Sequence, residues 1–176
     1  HWSHGIPNVQ IADIVLQERE RDLVLGTFGR AAYVIDDIGP LRVMAAESEQ
    51  VLESPLRAFN APTFYSAEFL QAAGTRFAAD AHYRGENRYE RGRISYVVND
   101  TLEKPDTVTV KIFDENSIQV RTLYWTPEDF GFNRGFWYGD RKGVRYLGRE
   151  KSDKPSEPGT SQVLPRVYTL EMHYGE

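Results

Sequence analysis

Residues 9–35 hold three runs, VQIADIVL, LVLGT and AAYVI, that are apolar at nearly every position. Half-solvated strands alternate apolar with polar residues, whereas a nearly continuous apolar run marks a strand buried on both faces. The runs are short and are separated by the charged turn ERERD at 18–22 and by Phe28-Gly29-Arg30, so they predict a three-stranded antiparallel meander. Gly26 and Gly29 flank the Thr27-Phe28 turn, where glycine permits positive φ and a close approach of strands. Such a sheet cannot stand alone, because it would expose apolar faces and unpaired edges. Cover has to come from residues 40–80, from the second half of the chain or from another polypeptide. Residues 40–80 are poor in strand signal, so the expectation is a protein partner, either a second copy or a segment beyond these 176 residues. Charge introduced at Val24 or Val34 should disrupt that association.

The rest of the chain reads differently. MAAESEQVLES at 44–54 is rich in helix formers, but Pro55 and Pro62 limit any helix to a turn or two. AEFLQAA at 67–73 predicts another short helix, and together these make 41–80 a connector that wraps the surface. Strand signal returns from Gly92 with RISYVVN. In the following segment Val108, Val110 and Ile112 alternate with Thr109 and Lys111, turn residues occupy 114–117, and Ile118, Val120 and Thr122 resume the alternation. FNRGFWYG at 132–139 and RVYTLEMHY at 166–174 bring the tally to at least five antiparallel strands. Residues 81–176 therefore predict a β-sandwich of immunoglobulin-like type. Trp137 alternates with Phe136 and Tyr138, which places it in the core. The Pro, Ser, Gly and charge-rich stretch GREKSDKPSEPGTS at 148–161 predicts a mobile loop.

Both halves carry a resemblance. Gly5-Ile6-Pro7-Asn8, Asp13-Ile14-Val15, Asp22-Leu23-Val24, Gly26-Thr27, Gly29-Arg30 and Asp36-Asp37 resemble the end of the last blade in sortilin-like, BNR-repeat β-propellers. Phe28 stands where that family commonly has His, and Ala31 where it commonly has Gly. Propeller blades are four-stranded meanders, so one strand is missing and residues 1–40 would be terminal blade strands. The Asp-box of BNR repeats does not occur. Val110-Lys111-Ile112-Phe113-Asp114, Val120-Arg121-Thr122-Leu123, Gly131-Phe132-Asn133 with Trp137, and Pro165 to Leu170 are similar to the immunoglobulin-like domain of flagellar hook-capping proteins. That domain follows many BNR propellers. Tyr138 departs from its pattern, as does Arg166-Val167. The resemblance implies an all-β chain, a partial propeller blade followed by an immunoglobulin-like sandwich, from a secreted, periplasmic or cell-surface bacterial protein. The partners it implies are the remaining propeller blades or a second protein chain.

Candidate chemistry is sparse. Asp36 and Asp37 are adjacent, so on a strand they point to opposite faces and cannot flank one glycosidic bond. A turn-capping and solubilising role is the preferred reading, and calcium is the cofactor they would otherwise suit. Residues 82–93 interleave arginines with aromatics, and Tyr83, Arg84, Glu86, Asn87, Arg88 and Tyr89 are the candidate ligand-binding residues. A solvated loop is the preferred reading there. Glycan is the better functional alternative, because Glu86 and Glu90 dilute the positive field a phosphate chain needs. Trp125, Trp137 and Tyr138 could make a sugar-stacking platform, but aromatics in sandwich strands are core residues more often. His1 and His4 have a metal-ligand spacing but precede Gly5 and Pro7 at a terminus, which argues against a preorganised site.

A net charge of −5 and a pI near 5.5 speak against nucleic acid as partner. With no cysteine, thiol nucleophiles, disulfides and Cys-ligated zinc are excluded. No apolar run is long enough to span a bilayer. The N-terminus HWSHGIPN lacks the cationic start and apolar stretch of a signal peptide, and a fragment of something longer is expected. No nucleophile elbow, phosphate loop or dinucleotide fingerprint occurs. The expected function is a non-catalytic accessory portion of a propeller protein. Part of a glycoside hydrolase cleft, of sialidase or xyloglucanase type, and a carbohydrate- or protein-binding module are the alternatives.

Overall fold

In the computed structural model, which describes residues 5–66, 91–100, 103–143 and 159–175, the three apolar runs form β1 (Ile11–Gln17), β2 (Asp22–Thr27) and β3 (Ala32–Ile35). They make an antiparallel sheet in the order β1-β2-β3, as predicted. Gly29 takes φ +83° in the second turn, and Ala31 follows at +62°. Cross-strand register lines up Val15, Val24 and Val34 in one row and Ile14, Leu25 and Tyr33 in the next, which point to opposite faces. Both faces are thus apolar. Leu25 is the meander's only fully buried apolar residue, while Ile14, Val15 and Val34 are 60%, 54% and 55% exposed. The two rows are thus covered only in part: Leu25 is buried, Val24 and Tyr33 are half-buried, and the ends of the rows are open.

Two short helices follow, α1 (Gly39–Ala46) and α2 (Ser48–Glu53). Pro40 sits in the first turn of α1, where its missing N–H has no carbonyl to lose. Next come β4 (Leu56–Ala58), β5 (Gly92–Val98), β6 (Val108–Phe113), β7 (Gln119–Trp125), β8 (Gly131–Trp137), β9 (Asp140–Lys142), β10 (Gly159–Gln162) and β11 (Thr169–Tyr174). They form the antiparallel sheets β4-β5-β8 and β11-β6-β7 and the ribbon β10-β9. Residues 67–90 lie outside the described residues, and with them the helix expected at 67–73. β4 comes from within the expected connector yet pairs with β5, Leu56 opposite Val98. Of the loop expected at 148–161, Gly159 to Ser161 belong to β10; residues 148–158 lie outside the described residues.

The two larger sheets share one core. Ile94, Tyr96 and Val98 from β5 meet Val108, Val110 and Ile112 from β6, with Trp137 beside them. The period-two pattern of β6 is realised in full, its three aliphatics being completely buried. Trp137, 3% exposed, lies edge-on to Phe64 and Tyr168, with ring centroids 5.9 and 5.1 Å away. Its indole Nε1–H donates to the Asp140 carbonyl at 2.9 Å. Trp125 stacks on Tyr96 at 5.6 Å. Two of the three aromatics proposed as a sugar platform thus pack in or against the core, and only Tyr138 is exposed.

The return strand departs from the expected alternation. The turn forms as read, Asp114 Oδ1 accepting the N–H groups of Asn116 and Ile118. A register shift then sets Phe113 opposite Gln119 but Ile112 opposite Arg121, so Val120 falls in a bulge. Arg121, Leu123 and Trp125 take the positions opposite the buried β6 aliphatics, and Ile118 is left 61% exposed.

β5 is buried along its whole length because its second face is covered too. There Val97 packs with Val51 of α2 and Phe59, flanked by Val43 and Met44 of α1. The connector does more than wrap a surface: its helices form this second apolar layer. Asn99 fastens them, its Nδ2 donating to the carbonyls of Val51 and Ser54 at 3.0 Å each.

Trp137→Ala should cost about 3–5 kcal/mol in urea unfolding. Gly135→Ala should cost about 1–3 kcal/mol or more, since a Cβ there would overlap the Trp125 ring. Burial also raises the phenol of Tyr96 above the ordinary 10.0. The folded state therefore favours the neutral ring, a contribution complete below the unfolded pKa and lost as pH rises through the folded one. Stability should fall on titration above pH 10, and Tyr96→Phe should make that fall shallower.

Candidate functional site

The described residues converge most densely on ionic groups where β3 leaves the meander and meets the outer face of β5 and β8. This face alternates by strand geometry, with Arg93 and Ser95 on β5 beside Phe136 and Arg134 on β8. Arg93 Nη1 reaches Asp36 Oδ2 at 2.6 Å, and Arg93 is about nine-tenths buried. Arg134 Nε donates to Ser95 Oγ and its Nη2 to the backbone carbonyl of Asp36, both at 3.3 Å. Asp36 is thus gripped by side chain and main chain at once.

Asp37 turns the chain. It adopts φ +48°, a left-handed conformation that Asp tolerates better than most residues. Its N–H donates to Asp22 Oδ1 at 2.9 Å, and its own Oδ1 accepts the Gly39 N–H at 3.2 Å. Arg21 Nε lies 3.1 Å from that same Oδ1, while Arg21 Nη2 donates to the Asn60 carbonyl at 3.3 Å. A Cβ added at Gly39 would come within 2.8 Å of the Arg21 guanidinium, which would have to shift.

For Asp37, though not for the part-exposed Asp36, the expectation of a solubilising residue needs correction on this geometry. Asp37 is 2% exposed, and each carboxylate already faces an arginine. Their role is turn capping plus the fastening of one sheet to another. Among the described residues no group of three or more His, Asp or Glu side chains is placed to hold a metal ion.

The six candidate ligand residues Tyr83, Arg84, Glu86, Asn87, Arg88 and Tyr89 lie outside the described residues, as do His1 and His4. The end of that arginine-aromatic stretch is described. Arg93 makes the ion pair above, and Arg91 lies flat on β8: its guanidinium is 3.6 Å from the Phe136 ring centroid and its Nη1 donates to the Tyr138 hydroxyl at 2.9 Å. Both arginines act between elements of this chain.

Sequence reading missed Arg121. Its side chain is buried, Nη2 lies 3.3 Å from Asp140 Oδ2, and Nε and Nη1 have no partner among the described residues. The bulge before it turns an arginine inward, a shift that alternation alone does not reveal.

Asp36→Ala should destabilise the fold by about 1.5–3 kcal/mol in urea unfolding, because the buried Arg93 loses its carboxylate. Adding Arg93→Met should recover part of that loss, since removing both charges is milder than stranding one. Simple additivity of the two substitutions would contradict this account.

No helix among the described residues is long and apolar enough to cross a membrane. No protein-family model, curated protein sequence or solved structure matches this chain.

Proposed function

We propose that this chain is a non-catalytic accessory portion of a larger secreted bacterial propeller protein of the sortilin-like, BNR-repeat kind. In this reading the meander is a set of terminal blade strands, and the two larger sheets are an immunoglobulin-like domain that props and spaces it. One observation carries the proposal: a sheet with apolar rows on both faces, Val15-Val24-Val34 and Ile14-Leu25-Tyr33, is joined to a body that has its own core and leaves much of those rows in solvent. A blade flanked by other blades would bury both rows, and the hydrophobic contribution would be about 1.5–3 kcal/mol for each large aliphatic fully covered. The joint at Asp36 supports a bracing role, because it orients the meander through paired charges and hydrogen bonds.

The contribution to a glycosidase cleft is the weaker reading. Both carboxylates at the joint are already paired with arginines of this chain, and they are not arranged as two carboxylates facing each other across one glycosidic bond.

The intact mass of the native polypeptide tests the proposal, with expected outcome a chain much longer than 176 residues whose additional sequence carries repeated blades. A native polypeptide of this length alone would overturn it. The purified chain should also show no turnover of aryl glycosides, and turnover abolished by one carboxylate substitution would argue for the cleft instead.

A further inference from the structure

The β9-β10 ribbon lies against the two larger sheets as a separate piece. It is paired within itself, Asp140 opposite Gln162 and the Val163 N–H donating to the Gly139 carbonyl at 2.8 Å, and among the described residues it shares no backbone–backbone hydrogen bond with either larger sheet. Arg141, Ser161 and Gln162 are exposed. The ribbon is entered through Gly139, at φ +65°, a conformation that glycine adopts freely. Asp140 fastens it: its carbonyl accepts the Trp137 indole N–H at 2.9 Å, and its carboxylate faces Arg121 Nη2 at 3.3 Å. The second of these contacts leaves donors stranded. With the ribbon in place, Arg121 Nε and Nη1 are buried and have no partner among the described residues. A guanidinium carries five N–H donors, and each one buried without an acceptor has lost its hydration for nothing in return. Movement of Asp140 away from β7 returns those donors to water.

We infer that the β9-β10 ribbon is a strap with two positions: closed on Arg121, as in this structure, and lifted about Gly139, with the guanidinium hydrated and the two larger sheets intact. Arg121 sets the balance between them, because its stranded donors disfavour the closed position while its attraction to Asp140 favours it. Against the lift stands Val163, half-buried on the core just past β10. That is little beside β6, whose Val108, Val110 and Ile112 are completely buried, so the strap opens far more often than the core unfolds. Lifting breaks the bond from the Trp137 indole to the Asp140 carbonyl, which makes that indole N–H a direct reporter of the open position. The inference goes beyond the propeller reading and does not rest on it.

Hydrogen exchange on the folded chain, at several urea concentrations below the unfolding transition, tests it. The Trp137 indole N–H should be protected at least about a hundredfold less than the backbone amides of β6, and its exchange should depend little on urea, since a lifted ribbon exposes little surface. Arg121→Met, which keeps the length of the side chain and removes its donors, should raise the protection of that N–H by at least about tenfold. A salt bridge that merely fastened the ribbon predicts the opposite sign, a fall in protection. Asp140→Asn should lower protection in the wild-type chain by about tenfold and have a much smaller effect once Arg121 is Met. An indole N–H that exchanges together with the β6 amides overturns the inference, as does unchanged or lowered protection in Arg121→Met. Should Arg121→Met not fold, the comparison of the indole with β6 in the wild-type chain still decides. Loss of the strap would leave the accessory reading standing, because that reading is decided by the length of the native polypeptide.

Discussion

Strand β5 is buried on both faces, and the rest of the described structure is arranged to make that so. Its Ile94, Tyr96 and Val98 need the β6 sheet, and its Val97 needs the helices that follow the meander. A strand hydrogen-bonded on both sides and packed on both faces has almost no freedom to shift register, since a slip of one residue would exchange its two layers. β4 and β8 are aligned by pairing with it. The outer face that it shares with β8 presents the arginines that hold the meander.

The attachment of the meander is of a different kind. Between β3 and the β5-β8 face the binding groups are Asp36, Arg93, Arg134 and Ser95, a polar joint. Charged hydrogen bonds are directional, so such a joint defines an orientation, whereas apolar contact tolerates sliding. The pairing of Asp37 with Arg21, and the bond from its amide to Asp22, closes the same turn from the meander's side. One acidic dipeptide thereby serves two sheets: its first residue faces outward to the body and its second inward to the turn.

Much of this was legible in the sequence. The three strands of the meander, the β6-β7 hairpin with its Asp114 turn, and the buried Trp137 all follow from short-range patterns of apolar residues and turn formers. The candidate site was legible only as a pair of acidic residues. That Asp36 would meet Arg93, far along the chain, depends on β3 ending beside β5, and no local pattern encodes such a meeting. Arg121 was hidden for a related reason: one extra residue, Val120, shifts the β6-β7 ladder so that Arg121 comes opposite Ile112 while Val120 still packs against the core, and a bulge is decided by packing against the opposite sheet.

By itself the sequence determined the strand periods, the turns and the apolar character of both faces of the meander, because these depend on the order of residues within one element. Only the tertiary structure decided that the connector's helices form a second layer over Val97, that Asp36 and Asp37 face different arginines, and that Leu25 of the meander is buried while Ile14, Val15 and Val34 are exposed. Those outcomes depend on how far apart in space distant segments end up, and burial and charge pairing act through distances that the linear order of residues does not specify.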